Sequence, residues 1–196
     1  MISVIDYGAG NLRSVQNAID AIGAKHCLVT DPVGLRTAKK IILPGVGHFG
    51  QMMRALDRLE LRGPLLERVR AGVPFFGICL GLQALFESSE EAPGSHGLAI
   101  FPGTIRRFAA DQRVPHMGWN QLHRRAKSKL LAGLSEHPFV YFANSYYAPG
   151  EAASATCTYG VEFAAVIERE NISAVQFHPE KSGPAGLQIL KNFVCS

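Results

Sequence analysis

The sequence lacks the features that mark secreted, membrane-spanning or metal-binding chains. It begins MISVIDYG, with no basic segment followed by an apolar run, and no apolar stretch is long enough to span a bilayer. The cysteines are far apart, form no CxxC pair and number only four: Cys27, Cys79, Cys157 and Cys195. Neither a disulfide framework nor a zinc site is predicted from such spacing. We therefore expect a soluble, cytoplasmic protein with no membrane association, metal or cofactor.

Charge of either sign is also modest, since 20 Lys and Arg against 16 Asp and Glu give a formal net charge of +4. Much of the basic excess lies in the segment 106–129. No aromatic platform or nucleic-acid motif accompanies those charges, so we interpret the segment as a solvated face and predict no nucleic-acid binding.

The length and apolar content of the chain limit the folds that it can adopt. With 196 residues, 47% of them hydrophobic, the chain can fill one core, and we predict a single domain over 1–196. Buried-strand patterns occur in SVIDYG, KHCLVT, KIILPG and VPFFGI, and they alternate with helical patterns. Asn11 is predicted to cap a helix that runs to about Ile22, and the helical segment 49–70 is expected to break near Gly63-Pro64. This alternation indicates an α/β fold, with a mostly parallel sheet flanked by helices.

The second half of the chain has a different pattern. From Ile100 onwards the strand-like segments are short, as in TIRRF, FVYFANSYY and FAAVIE, with a turn expected at Phe101-Pro102-Gly103. We expect them to add antiparallel strands on one side of the sheet. The last stretch, AVQFHPEKSGPAGLQILKNFV, is predicted to form a strand, a loop and a closing helix.

One cysteine is flanked by glycines at the end of an apolar run. Gly77-Ile78-Cys79-Leu80-Gly81 precedes LGLQALFES, which we predict to be a helix. This is the spacing of a nucleophile elbow, a sharp strand-to-helix turn in which nearby side chains larger than hydrogen would collide. The N–H groups at the helix start favour a thiolate and the oxyanion that forms when it attacks. The pentapeptide alone fits a buried structural cysteine equally well.

A thiol nucleophile needs a base, and His178 is the strongest candidate among seven histidines. Pro179 favours an extended conformation at His178, so residues 178 and 180 share a face and Glu180 can reach the imidazole. A carboxylate there fixes the tautomer and stabilises the imidazolium. In isolation the pair fits a structural histidine beside a solvated glutamate, but together with Cys79 it predicts a catalytic triad.

Two other kinds of site are disfavoured. Gly8-Ala9-Gly10 lacks the third glycine of the dinucleotide fingerprint, so nucleotide binding is not predicted. Several further histidines have no second ligand at metal spacing, and we assign them to packing or surface: His26, His48, His96, His123 and His137.

Three ordered motifs resemble those of the class I glutamine amidotransferases. Leu43-Pro44-Gly45-Val46-Gly47 is similar to their oxyanion strand, the cysteine segment to their nucleophile elbow, and Phe177-His178-Pro179-Glu180 to their His-x-Glu pair. DYGAGN, PGVG, PHMGWN and HPEKS resemble one branch of that family, the glutaminase subunits of imidazole glycerol phosphate synthases. The resemblance runs from end to end. It implies that glutamine is split to glutamate and ammonia, and that the ammonia reaches a (β/α)8-barrel cyclase subunit of a heterodimer in histidine biosynthesis.

The resemblance also implies roles for individual residues. Cys79 would attack the amide, His178 would shuttle the proton and Glu180 would orient the imidazole. The N–H groups of Val46 and Leu80 would form the oxyanion hole. The amino-acid end of glutamine would be held by Gly47, Gln83, Ser145 and Tyr146, and the cyclase would be contacted by Pro115, Trp119 and Lys181.

The PGVG segment also leads us to expect a regulated oxyanion hole. Gly45 permits backbone conformations closed to other residues, so the Val46 N–H could point away from the substrate at rest. A rigid turn is the alternative.

One position departs from the family pattern, because Asn144 stands where the family usually has histidine. This affects glutamine positioning or interface signalling near Ser145 and leaves the triad untouched. Glutaminase subunits for anthranilate or pyridoxal phosphate synthesis are alternatives, against which PHMGWN argues. A cysteine hydrolase or peptidase on a similar sheet would need no Gln83. A non-catalytic module would be expected to have lost a triad residue.

Overall fold

The computed structural model describes residues 1–8 and 11–196. Ala9 and Gly10 of the dinucleotide-like turn lie outside the described residues. The strands are β1 (Ile2–Ile5), β2 (His26–Val29), β3 (Ile41–Gly45), β4 (Phe75–Cys79), β5 (Phe86–Ser89), β6 (Phe101–Arg107), β7 (His116–Gln121), β8 (His123–Arg124), β9 (Phe139–Asn144), β10 (Tyr146–Tyr147), β11 (Ala155–Tyr159), β12 (Val161–Arg169) and β13 (Ile172–Val175). The α-helices are α1 (Leu12–Ala21), α2 (Pro32–Arg36), α3 (Phe49–Arg58), α4 (Arg62–Arg70), α5 (Leu80–Gln83) and α6 (Gly183–Cys195). Short 3-10 turns cover Gly150–Ala152 and Pro179–Lys181.

The main sheet has the strand order β2-β1-β3-β4-β13-β12-β11-β8. The first five strands in that order are mutually parallel, and the last three continue the sheet in antiparallel pairing. The predicted α/β fold, mostly parallel with antiparallel strands on one side, is confirmed. Smaller sheets are formed by β10-β6-β5 and by β7-β9.

The central parallel strands are buried on both faces, as expected where helices cover a sheet on both sides. Every residue of β1, β3 and β4 is buried. Consecutive side chains alternate between two apolar cores, so that Phe75 belongs to one and Phe76 to the other. This packing aligns the carboxyl ends of β3, β4 and β13, where parallel α/β sheets place their ligand sites.

The structure corrects two predicted helix boundaries. The break in the helical segment lies between Arg58 and Arg62, and Pro64 belongs to the first turn of α4. Proline is tolerated there because the first N–H groups of a helix have no intrahelical partner. The helix predicted over LGLQALFES ends at Gln83, because residues 86–89 pair with β6 instead.

The helix predicted to start at Asn11 is confirmed as α1, and Asn11 stands at its N-cap position with a φ of 67°, but its side chain makes no capping hydrogen bond to the helix. One predicted turn was wrong. Phe101-Pro102-Gly103, predicted as a turn, forms the first part of β6. Among the described residues, no helix combines the length and apolar character needed to cross a bilayer.

Candidate active site

Cys79 is the last residue of β4 and directly precedes α5. Its φ of 54° and ψ of −106° are unfavourable for a residue with a side chain, and such strain clusters at functional sites. The flanking glycines permit the turn. A Cβ on Gly77 would lie 2.6 Å from the carbonyl oxygen of Gly81, and a Cβ on Gly81 would overlap the carbonyl oxygen of Leu43. The close approach expected of a nucleophile elbow is therefore present.

His178 follows β13, the strand next to β4, and its main chain is held on both sides. Its N–H donates to the carbonyl of Tyr141 at 2.9 Å, and its carbonyl accepts from the Ser182 hydroxyl at 2.7 Å. Nδ1 lies 2.8 Å from Oε1 of Glu180, and the two side chains are only 3% and 1% exposed. The other ring nitrogen is therefore left for Cys79.

The protonation of His178 depends on two neighbours. Burial lowers its pKa, but the charge and hydrogen bond of Cys79 and the Glu180 carboxylate outweigh that effect and raise the pKa to about 10. Both neighbours therefore favour the imidazolium. An imidazolium beside a sulfur stabilises the thiolate, which is the reactive form of cysteine.

Two polar residues that the sequence reasoning did not assign to the site complete these contacts. Asn11 donates from Nδ2 to Oε1 of Glu180 at 3.2 Å. Gln176 is fully buried and its Nε2 lies 3.6 Å from the sulfur of Cys79. The sequence does contain a signal for each residue. Asn11 belongs to the DYGAGN motif, and Gln176 is an amide residue at the end of an otherwise apolar strand.

A pocket of about 470 Å³ opens at Cys79 and His178. Its lining includes the predicted substrate-binding and oxyanion residues together: Val46, Gly47, Leu80, Gln83, Ser145 and Tyr146. Glu91 and Lys181 place opposite charges on this lining, and the Glu91 carboxylate also accepts from the N–H of Phe49 at 2.7 Å. Glu91 was not predicted from the sequence. The pocket suits a small zwitterion.

The predicted oxyanion donors approach Cys79 from two strands. Leu80 is the first residue of α5, so the helix does not use its N–H. Gly45 is paired with Cys79 in the sheet, which brings Val46 alongside. Burial raises the pKa of Tyr7, and the nearby main chain of Val46 opposes that rise. The Val46 peptide therefore lies close to the Tyr7 hydroxyl as well as to the pocket.

Tyr7 lies outside the pocket at Cys79. It lines a separate small cavity behind the triad, with Val46, His178 and Glu180. Its buried hydroxyl makes no well-directed hydrogen bond among the described residues. Val46 lines both this cavity and the pocket at Cys79, so its peptide lies between the two.

Asn144 lies at the pocket edge and is 5% exposed. Its Nδ2 donates to the carbonyl of Tyr146 at 2.9 Å, the same oxygen that accepts from Gln83 at 3.0 Å. Its Oδ1 is buried without a hydrogen-bond partner among the described residues. Asn144 thus fixes the turn that carries Ser145 and Tyr146.

The three predicted interface residues are exposed near the pocket. Trp119 and Lys181 both lie against Tyr141, with ring centroids 6.1 Å apart for the aromatic pair and Nζ 5.9 Å from the Tyr141 ring. Pro115 precedes β7, whose first residue, His116, pairs with Asn144. Trp119 is 55% exposed, and two further large apolar side chains of this small sheet, Met117 and Phe139, are 64% and 54% exposed.

The comparison with known families decides the assignment. The model of the family described as glutamine amidotransferase class-I matches residues 3–196. The chain belongs to this family. The prediction of a class I glutamine amidotransferase, and with it of an enzyme, is confirmed.

The relatives of this class I glutamine amidotransferase fall in the branch to which its motifs pointed. It is 51% identical to imidazole glycerol phosphate synthase subunit HisH of Methanothermobacter thermautotrophicus, over 99% of this chain and 98% of that protein. It is 47% identical to subunit HisH of Chlorobium luteolum, over 98% of each chain. A crystal structure of a glutamine amidotransferase, 20% identical, has the same fold with a TM-score of 0.77, covering 98% of this chain and 96% of that one.

Proposed function

We propose that this chain is the glutaminase subunit of an imidazole glycerol phosphate synthase, which hydrolyses glutamine and passes the ammonia to a cyclase subunit in histidine biosynthesis. The observation that carries the proposal is the 51% identity, over almost the full length of both chains, to a protein named as subunit HisH of that synthase. The buried group of Cys79, His178 and Glu180 beside a charged pocket supports glutamine hydrolysis as the chemistry.

In this proposal the Cys79 thiolate attacks the side-chain amide carbon of glutamine. The imidazolium of His178 gives its proton to the amide nitrogen, the carbon–nitrogen bond breaks, and ammonia leaves from a γ-glutamyl thioester. His178, now neutral, takes a proton from water as the water oxygen attacks the thioester carbon. Glutamate is released, and the thiolate and imidazolium are restored. Glu180 holds the ring throughout.

Negative charge develops on the substrate oxygen in both steps. The N–H of Leu80 is available for it, and the N–H of Val46 is available when that peptide faces the pocket. Each such donor commonly contributes about 2.7–4 kcal/mol to the transition state. Glu91 and Lys181 complement the ammonium and carboxylate of the amino-acid end, beside Gly47, Gln83, Ser145 and Tyr146.

The cyclase, a (β/α)8 barrel, would dock on the exposed face of the β7–β9 sheet. Met117, Trp119 and Phe139 form an exposed apolar surface there, the kind of surface that marks protein–protein contact. This face adjoins the pocket, since β9 ends in Asn144. Pro115, Trp119 and Lys181 would then contact the cyclase where ammonia has to leave.

The test uses the chain with the cyclase subunit of a related synthase and the cyclase's ribotide substrate. We expect a one-to-one complex that makes product from either glutamine or added ammonium. Cys79→Ala should abolish the glutamine-dependent reaction and preserve the ammonium-dependent one, while Cys195→Ala, at an exposed cysteine, should change neither. Failure to form a complex, or glutamine-dependent product from Cys79→Ala, would refute the proposal.

A further inference from the structure

Two buried side-chain amides connect a main-chain carbonyl to the sulfur of Cys79. Gln83 Nε2 donates to the carbonyl of Tyr146 at 3.0 Å and to Oε1 of Gln176 at 3.0 Å. Gln176 Nε2 in turn lies 3.6 Å from the Cys79 sulfur. Gln83 is 4% exposed and Gln176 is fully buried, so water competes little for these groups.

The Tyr146 carbonyl determines the orientation of the side-chain amides of Gln83 and Gln176. A carbonyl only accepts hydrogen bonds, so Gln83 must turn its NH2 group towards it. The same NH2 group of Gln83 faces the side-chain amide of Gln176. Gln176 must present its oxygen at this contact, because two facing NH2 groups would both be donors without an acceptor. The NH2 group of Gln176 is therefore left on the side of Cys79. Its direction follows from the Tyr146 carbonyl and is independent of the sulfur.

The main chain keeps Gln176 in place. Its N–H donates to the carbonyl of Ala165 on β12 at 3.0 Å, and two residues later His178 is bonded to Tyr141. These bonds fix the main chain of Gln176, and full burial together with the bond from Gln83 restrains its side chain beside Cys79. A donor fixed in this way is preorganised and needs no rearrangement when charge develops on the sulfur.

We propose that Gln176 is a further catalytic residue, whose side-chain amide donates a hydrogen bond to the Cys79 thiolate during the reaction proposed above. A hydrogen bond to an ion is roughly twice as strong as one between neutral groups, so this donor favours the thiolate over the thiol. The same bond stabilises the thiolate that leaves when water hydrolyses the thioester. Gln176 thus acts on both halves of the cycle.

The proposed hydrogen bond from Gln176 should affect the chemical step and not the binding of glutamine. Gln176 is fully buried behind Cys79 and is absent from the substrate-pocket lining, so its donor acts on the sulfur and not on glutamine. Removing the donor should lower kcat and leave KM nearly unchanged.

Gln176→Met tests the proposal, because methionine keeps the volume and removes the donor. The first readout is the pH dependence of Cys79 alkylation by iodoacetamide, with the labelled residue identified by mass spectrometry. We expect the midpoint of that profile to move about one pH unit higher and kcat to fall about tenfold, which are equivalent changes in thiolate stability. KM should change less than about twofold.

Gln188→Met is the matched control, since Gln188 lies on α6 and its side chain donates to Asn192 of the same helix. It should leave both the alkylation profile and kcat unchanged. Thermal unfolding checks that the variants fold, and Gln176→Asn, whose shorter amide cannot reach the sulfur, replaces Gln176→Met if that variant does not.

An unshifted alkylation midpoint in a folded variant would overturn the role of Gln176, even if kcat fell, because a packing defect lowers kcat without moving the midpoint. Alkylation needs neither glutamine nor a cyclase. A shifted midpoint in a chain whose wild type hydrolyses no glutamine even with the liganded cyclase would therefore refute the proposed function and leave the hydrogen bond standing.

Discussion

Gly45 and Cys79 occupy paired positions on adjacent parallel strands, so the peptide that follows Gly45 lies directly beside the candidate nucleophile. The approach is close enough that a Cβ on Gly45 would lie 2.6 Å from the Gly81 nitrogen. The main chain of Val46 also lies near the hydroxyl of Tyr7, behind the candidate triad. In the proposed mechanism the Val46 peptide is therefore the oxyanion donor that can turn towards the pocket or towards Tyr7.

We expect the Tyr7 hydroxyl to attract the Val46 N–H away from the pocket in part of the molecules, so its removal should favour the orientation towards the pocket. For Tyr7→Phe we expect the glutaminase turnover of the isolated chain to rise roughly threefold to tenfold, the equivalent of one ordinary hydrogen bond. Steady-state glutamate production measures it. Tyr159→Phe is the control, because that hydroxyl bonds to the carbonyl of Arg113 instead. Equal rates in wild type and Tyr7→Phe would show that the hydroxyl does not hold the peptide.

Partner binding should complete the oxyanion hole. We expect the isolated chain to bind glutamine and release ammonia slowly, and the cyclase with its ribotide ligand to raise turnover by about a hundredfold to a thousandfold, the value of one oxyanion donor. Affinity for glutamine should change far less. Ammonia production by the chain, by the complex and by the liganded complex provides the comparison. Full turnover without the partner would contradict gating and favour a rigid turn.

Substitutions of His178 and of Glu180 should lower kcat to different extents. His178→Ala removes the base and should cost about a hundredfold to ten-thousandfold in kcat. Glu180→Gln should cost less, because it weakens the orientation of the ring without removing it. Kinetics of both variants at saturating glutamine measure the difference. If both changes were tolerated equally, the base would have to lie elsewhere.

Acid should destabilise the fold through His116. This side chain is 4% exposed and stacks on Tyr159, with ring centroids 4.1 Å apart, and burial lowers its pKa to about 4. The pKa of His116 in the folded protein lies below the unfolded value of 6.5. The contribution of neutral His116 to the free energy of unfolding is therefore fully present above pH 6.5 and is lost as the pH falls towards 4. This contribution amounts to about 3 kcal/mol. Thermal unfolding between pH 4 and 7.5 should show a flatter profile for His116→Phe than for wild type; parallel profiles would exclude His116 as the cause.

Short-range patterns predicted the fold and much of the site. The Cys79 elbow and the His178–Glu180 contact each depend on residues within a few positions, so the sequence displays them directly. Gln176 and Asn11 were missed as site residues because their partners lie 97 and 169 residues away. Long-range pairing also explains the short α5, since Phe86 and Phe101 pair across two strands that helical periodicity could not reveal.

Asn144 stands where the family usually has histidine, and the effect of this difference could not be read from the sequence. The sequence marked the position as a source of doubt, but only the structure shows its amide bonded to the Tyr146 carbonyl, beside that of Gln83. A histidine N–H could serve the same acceptor. The substitution therefore keeps a donor at the turn that carries Ser145.

The pairing of β4 with β13 has a consequence for how the protein is made. The ribosome releases β4 long before β13, since 97 residues separate Cys79 from Gln176. Domains emerge amino-terminal end first, at about 5–20 residues per second. For several seconds the growing polypeptide carries an ordinary thiol, with neither the imidazolium nor the amide beside it. In the proposed mechanism this thiol becomes reactive only when the closing strand is inserted, and we expect a product that ends before β13 to hydrolyse no glutamine.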